Sequence, residues 1–387
     1  MGKLKRTFYV FAALINLYII LLLFTNLGIH VSKSNHKEKE RNVNILIIST
    51  WRSGSSLVGQ FFNQNPDVFY LKEPSWHVWK TMPHNSARGL QMAVRDLIRS
   101  IFKCNMSVLD AYLQNRSHVS NLFGWSSSRA LCSPPVCNMF SHNNDITENN
   151  CRKNCNKSPF SMEQQSCNTY SHIVLQEFRI FDIKVLYSLL KDPTLNLKIL
   201  HVVRDPRALA KSLKFLKFFL KFNDIIILKS HKKKISDKDR EKVLREICQS
   251  QVDMYRTSNT HPPPFLNNRY MLLRYDDLVR HPWRTAKHIF DFAGLKLTNE
   301  TKSWIYKMTH GEGLQHLQPF NITSRNALRV SLDWKNVLTL KEIRMVQKIC
   351  KDFMDVFRYQ NINSKNDLKD LNFETVLPRS KEDFQWQ

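Results

Sequence analysis

With 387 residues, 42% of them hydrophobic, the chain can bury a sizeable core in one large domain or two smaller ones. Nine glycines and fourteen prolines are no enrichment, which excludes a collagen-like or wholly disordered chain. The 58 Lys and Arg against 33 Asp and Glu leave a formal charge of +25, so anionic ligands are to be expected, with part of the excess simply solvated surface.

From the N-terminus, a mostly apolar run from Phe8 to Leu27 is long enough to span a bilayer. Lys3, Lys5 and Arg6 precede it, and Lys33, Lys37, Lys39 and Arg41 follow, so basic residues flank both ends. A cleaved signal peptide competes with this reading, but the run is long for one and no A-x-A-like site follows. The expectation is a cytosolic tail at 1–7, a transmembrane signal-anchor at 8–27, a stem at 28–43 and a luminal domain at 44–387. Cysteines and sequons support this orientation. Cys104, Cys132, Cys137, Cys151, Cys155, Cys167, Cys248 and Cys350 are even in number and suit disulfides in an oxidising lumen, with the pairing left open. A zinc site from Cys132, Cys137, Cys151 and Cys155 is the weaker alternative, since no C-x2-C spacing occurs. N-x-[ST] sequons fall at Asn105, Asn115, Asn156, Asn299 and Asn321.

Asn44–Ser49 reads as a buried strand, followed by a turn at Trp51–Ser55 and a helix from Ser56 to Gln64. Asp67–Leu71 is a second strand, and Leu90–Phe102 has helical periodicity. Residues 114–170 are polar, Cys-rich and irregular. His172–Leu175, Leu197–Val203 and Arg269–Tyr275 are further strands. Pro206–Phe219, Glu241–Thr257, Thr285–Gly294 and Leu338–Phe357 read as helices, and Lys229–Lys242 as an exposed loop or helix end. Strands alternating with helices indicate an α/β fold with a mostly parallel central sheet flanked by helices.

The first chemical motif is ILIISTWRSGSSL, Ile45 to Leu57. A helix that starts just after a buried strand presents unpaired N–H groups and a positive dipole end to an anion. Gly54 permits the tight turn, Ser53, Ser55 and Ser56 add hydroxyls, and Arg52 adds a cationic fork. Capping accounts for one serine but not for three serines and an arginine around one glycine. The first Gly and the Lys of a Walker A loop are missing, and no G-x-G-x-x-G occurs, so an NTPase, a kinase or a dinucleotide enzyme is disfavoured.

The second motif is LHVVRDPRALAKS, Leu200 to Ser212. Asp205 and Pro206 fit an N-cap and a first helical position. Arg204 and Ser212 are not needed for capping. Arg204 sits at the carboxyl end of a strand, where open α/β sheets bind ligands. With Ser212 it reads as a grip on a second phosphate, away from the first. Two phosphate grips without a metal motif suit a donor phosphorylated at both ends.

Here the sequence resembles a known family. TWRSGSS, Thr50 to Ser56, resembles the 5′-phosphosulfate loop of the Golgi carbohydrate sulfotransferases, and RDPRALAKS, Arg204 to Ser212, is similar to their 3′-phosphate segment. The stretch Val58–Trp79 resembles the galactose, N-acetylglucosamine and N-acetylgalactosamine 6-O-sulfotransferases. Further matches are Ala93–Arg99, Ser128–Cys132, Leu189–Leu197, Ile247–Gln251 and Leu273–Leu278. The resemblance covers residues 44–360 and is nearest to the N-acetylglucosamine 6-O-sulfotransferases. Thr50, Lys72, Ser75, Gln176 and Lys335 depart from the family pattern.

The resemblance implies a P-loop-like sulfotransferase fold and the donor PAPS (3′-phosphoadenosine 5′-phosphosulfate). The donor would be bound by Thr50, Trp51, Arg52, Ser53, Gly54, Ser55, Ser56, Arg204 and Ser212. The implied acceptor is the 6-hydroxyl of N-acetylglucosamine on a glycoprotein or keratan-type glycan, with galactose or N-acetylgalactosamine as the alternative. Resemblance and position suggest Glu73 as general base, with Arg52 stabilising the leaving phosphate. A turn-capping or Arg-paired Glu73 competes with that role, as does His77 as the base. No metal is required. Trp76, Trp79 and Trp125 are candidates to stack on sugars, against plain core packing. The implied setting is the Golgi membrane, single-pass with the catalytic domain luminal. The expected partners are a glycan acceptor and, left open, a second copy of the chain; nucleic acid is not among them. A non-catalytic luminal glycan-binding protein is the rival from another class.

Overall fold

A computed structural model of the chain describes residues 42–140, 146–216, 218–229, 235–312, 323–370 and 372–378. The expected anchor, the stem up to residue 41 and the sequon at Asn321 lie outside the described residues. No helix among the described residues is long and apolar enough to cross a membrane.

Five strands form one sheet: β1 (Val43–Ser49), β2 (Val68–Lys72), β3 (His172–Glu177), β4 (Asn196–Val203) and β5 (Tyr270–Arg274). Their order is β2-β3-β1-β4-β5, and every pairing is parallel. β1 is buried along almost its whole length because helices cover both faces of the sheet. Its alternation shows the two faces. Leu46 and Ile48 join one core with Phe69, Leu71, Ile173 and Leu175, while Ile45 and Ile47 join the other with Tyr70, Val174, Leu200 and Val202.

The chain leaves β1 for β2 on one side, fills in β3, then crosses to β4 on the other side of β1. That reversal opens a crevice beyond the carboxyl ends of β1 and β4. The helices that start there are α1 (Ser55–Asn63), after β1, and α4 (Pro206–Phe215), after β4. Asp205 caps α4 through its side chain, which accepts from the Arg207 N–H, and Pro206 follows at the first helical position.

Between α3 (Gln91–Phe102) and β3 the chain is irregular, built of short helical turns, and carries three of the four disulfides. These are Cys104–Cys167, Cys132–Cys151 and Cys137–Cys155, so the cysteines of the zinc alternative are joined to one another in pairs. Cys248–Cys350 ties the long helix α6 (Asp237–Asn259) to the C-terminal helices, and no cysteine is free.

Several helical readings change, among them Pro206–Phe219, which ends as a helix at Phe215. The helix read over 338–357 is two helices, Leu340–Ile349 and Lys351–Val356, which meet at the disulfide-bonded Cys350. Lys221–Leu228 forms a helix, α5, absent from the sequence reading. α6 starts one turn earlier than Glu241, because Ser236 and Asp239 form a capping box.

Candidate active site

A cavity of about 770 Å³ opens at the carboxyl end of the sheet. Its floor begins with the turn between β1 and α1. Here Arg52 and Gly54 take left-handed backbone angles, φ 71° and 87°. A Cβ on Gly54 would lie 2.2 Å from Cδ2 of Tyr275, so glycine is required by conformation and by space. Ser49 Oγ donates to Ser55 Oγ at 2.8 Å, which links the end of the strand to the start of the helix. Thr50, Ser53 and Ser55 are buried. Trp51, Arg52, Gly54, Ser55 and Ser56 line the cavity.

The second motif closes on the first. Arg52 Nε donates to Ser212 Oγ at 2.7 Å, and Arg204 Nη1 donates to the Arg52 carbonyl at 3.0 Å. The two grips therefore adjoin, because β1 and β4 are neighbouring strands. Arg204 also lies over the Tyr275 ring, 4.7 Å from its centroid, while its Nε is buried without a hydrogen-bond partner. Arg325, overlooked in the sequence, lines the same cavity. Burial, with the charges of Arg204 and Arg325, pushes the Arg52 guanidinium down to about 10. Three arginines on one concave surface make a site that an anion would relieve.

Glu73 stands at the end of β2 with a left-handed backbone, φ 52°, and also lines the cavity. Its Oε2 accepts from Arg179 Nη1 at 3.0 Å, so it is paired, as the competing reading of this residue supposed. Arg179 is fully buried, its guanidinium 5.8, 5.3 and 5.3 Å from the ring centroids of Trp51, Trp76 and Trp79. Glu177 lies behind them. Ser75 N–H donates to its Oε1 at 2.7 Å, Arg179 approaches its Oε2 at 3.9 Å, and burial pushes its carboxyl up to about 7. Non-glycine residues in left-handed geometry cost roughly 1–3 kcal/mol and persist where the surroundings over-determine them. Arg52 and Glu73 are two such residues facing one cavity.

The other candidates divide. His77 does not line the cavity. Its Nε2 accepts from Phe123 N–H at 2.9 Å, and burial, with the charges of Lys80 and Arg179, pushes it down to about 4. Trp79 and Trp125 are core residues, whereas Trp76 is half-buried and lines the cavity. Gln176 faces the turn: its Nε2 donates to Ser55 Oγ at 3.1 Å, and its Oε1 accepts from Tyr70 Oη. Arg179 and Arg325 lacked any local signal, since each gains its place from a distant segment.

Residues 43–358 match the sulfotransferase domain family. The chain is 45% identical over 345 residues to carbohydrate sulfotransferase 5 of Mus musculus, which covers 89% of this chain and 87% of that protein. It is 44% identical over 348 residues to carbohydrate sulfotransferase 6 of Homo sapiens, covering 90% and 88% respectively. To carbohydrate sulfotransferase 4 of Mus musculus it is 40% identical over 361 residues, 92% of both chains. A match of this extent, spanning the sheet, both motifs and the cavity, establishes that the chain belongs to the carbohydrate sulfotransferase family.

Proposed function

We propose that this chain transfers a sulfuryl group from PAPS to the 6-hydroxyl of N-acetylglucosamine on a glycoprotein or keratan-type glycan. It would act in the Golgi lumen, behind an N-terminal anchor at residues 8–27. The observation that carries the reading is Arg52, Arg204 and Arg325 lining one cavity together with Glu73. The buried Arg204 Nε without a partner, and an Arg52 crowded by like charges, fit a multiply phosphorylated donor.

PAPS supplies a sulfuryl group whose leaving partner is the 5′-phosphate. In this reading the backbone N–H groups of Thr50–Ser56 and the hydroxyls of Ser55 and Ser56 hold the 5′ end, with Thr50 and Ser53 buried behind them, and Arg204 with Ser212 holds the 3′-phosphate. Arg52 bridges the two, bonded to Ser212 and able to offset charge on the leaving oxygen. Glu73 takes the proton of the attacking hydroxyl, and Arg179 fixes the orientation of its carboxylate. Sulfuryl transfer develops less charge on the transferred group than phosphoryl transfer, so these cations suffice without a metal.

The test is transfer of label from PAPS by the full-length detergent-solubilised protein to N-acetylglucosamine, galactose and N-acetylgalactosamine oligosaccharides. Label is expected at the 6-position of N-acetylglucosamine, with Arg52→Ala and Glu73→Gln each slowing transfer by roughly 100-fold or more. Label on another sugar would retain the reaction and overturn the acceptor. No label on any acceptor would overturn the reading.

A further inference from the structure

Among the described residues, a dense group of exposed aromatic side chains adjoins this cavity. Phe215, Phe218 and Phe219 are 63%, 82% and 66% exposed within five residues of sequence. Phe215 and Phe219 nevertheless line the cavity. Ser212, Phe215, Phe219 and Asn223 follow one another at the three-to-four-residue spacing of a helix face, from α4 across a turn into α5. The stripe therefore starts at Ser212, bonded to Arg52, and ends at the rim. Phe123 lines the cavity at 36% exposure. Its ring is 5.1 Å from Trp76, which is in turn 5.2 Å from Phe222 of α5.

A large exposed apolar patch marks a ligand groove, a protein contact or a membrane contact. A membrane contact would offer its lysines to anionic headgroups. Here two of the lysines beside the rings turn to carboxylates of the protein, Lys211 to Asp333 and Lys214 to Glu342 at 2.7 Å, while Lys221 is exposed. Continuity with the cavity favours the ligand. The C–H face of a pyranose matches the negative face of an aromatic ring. Its hydroxyl and acetamido groups need polar partners, and Asn223, the last residue of the stripe, lines the cavity beside the rings. It is 5% exposed, and its Oδ1 has no hydrogen-bond partner.

We propose that Phe123, Phe215, Phe219 and Asn223 form an acceptor subsite for the sugars adjoining the one that is sulfated. The enzyme then selects an oligosaccharide over an isolated sugar. The inference rests on the sulfotransferase reading of the same cavity.

The experiment measures kcat and KM of the full-length protein for a monosaccharide glycoside, a disaccharide and a tetrasaccharide, each ending in N-acetylglucosamine, at saturating PAPS. Acceptor KM is expected to fall about tenfold from monosaccharide to tetrasaccharide, the scale of one or two ring contacts. Phe215→Ala/Phe219→Ala should abolish that fall while leaving kcat, the monosaccharide KM and the PAPS KM unchanged. Phe215→Tyr/Phe219→Tyr should restore it. Asn223→Ala should raise the tetrasaccharide KM alone. A wild-type KM independent of acceptor length would overturn the subsite, as would a double variant that weakens all acceptors equally. Wild-type kinetics in the alanine double variant, the fall in KM with acceptor length included, would overturn it. An inactive wild-type protein would instead bring down the sulfotransferase reading, and this inference with it.

Discussion

The arginine-lined floor of the cavity and its aromatic wall are made of different material. The floor comes mainly from the ends of β1 and β4, adjacent parallel strands whose turns are set by Gly54, Asp205 and Pro206, with Arg325 added from a distant segment. The wall comes from α2 (Trp76–Thr81), α4, α5 and the irregular segment before β3, which is braced by three disulfides rather than by a ladder. A turn at the end of a buried strand admits few conformations, so each turn of the floor is shaped by its own sequence. A segment of short turns must borrow its rigidity from cross-links and from the rings packed on Arg179.

The largest effect is expected on the wall side. Replacing Cys104 and Cys167 by alanine opens a loop of sequence separation 63, worth about 4 kcal/mol on the chain-entropy account. Urea unfolding measures it, and a loss below about 1 kcal/mol would show that the insert supports itself and dissolve the contrast. On the floor, Gly54→Ala meets both the left-handed φ and the Tyr275 ring, and is expected to cost about 3 kcal/mol along with transfer activity. An alanine variant of normal stability would mean that the turn adapts. Arg204→Ala should raise the KM for PAPS roughly 10- to 100-fold, the loss of one or two charge-assisted bonds of about 1.5–3 kcal/mol each, with the acceptor KM unchanged. Equal rises in both would mean that the floor and the wall are not separable in binding.

The smallest effect is a matter of pH. His77, behind the wall, is pushed down to about 4 by burial, whereas unfolded it takes up its proton near 6.5. Its contribution to stability is therefore present above pH 6.5 and is lost as the pH falls toward 4. Between pH 7.5 and 5.5 the wild type should lose about 1 kcal/mol more stability than His77→Gln. An equal loss in the two proteins would mean that the folded protein protonates His77.

Much of the floor was legible before folding. The strand-turn-helix at 45–57, the cap at Asp205 and the position of Glu73 at a strand end follow from local rules of burial, turn geometry and capping. The wall was less so. Trp76, Trp79 and Trp125 look alike in sequence, yet only Trp76 reaches the cavity, because core and cavity differ in what surrounds a side chain and not in its type. The partner of Glu73 is Arg179, 106 positions away, brought near because β2 and β3 pair in register. The pairing of the cysteines and the break at Cys350 belong to the same class.

The amino-acid sequence by itself determined the parallel α/β design, the two anion-binding turns and the family, since each rests on residues close together in the chain. The tertiary structure alone decided that the two turns meet through Arg52 and Ser212, that Arg325 joins them, and that Phe215 and Phe219 line the rim of the same cavity. These are contacts between segments up to a few hundred residues apart. Their geometry depends on strand order and on which faces the hydrophobic cores leave open, and no local pattern encodes either.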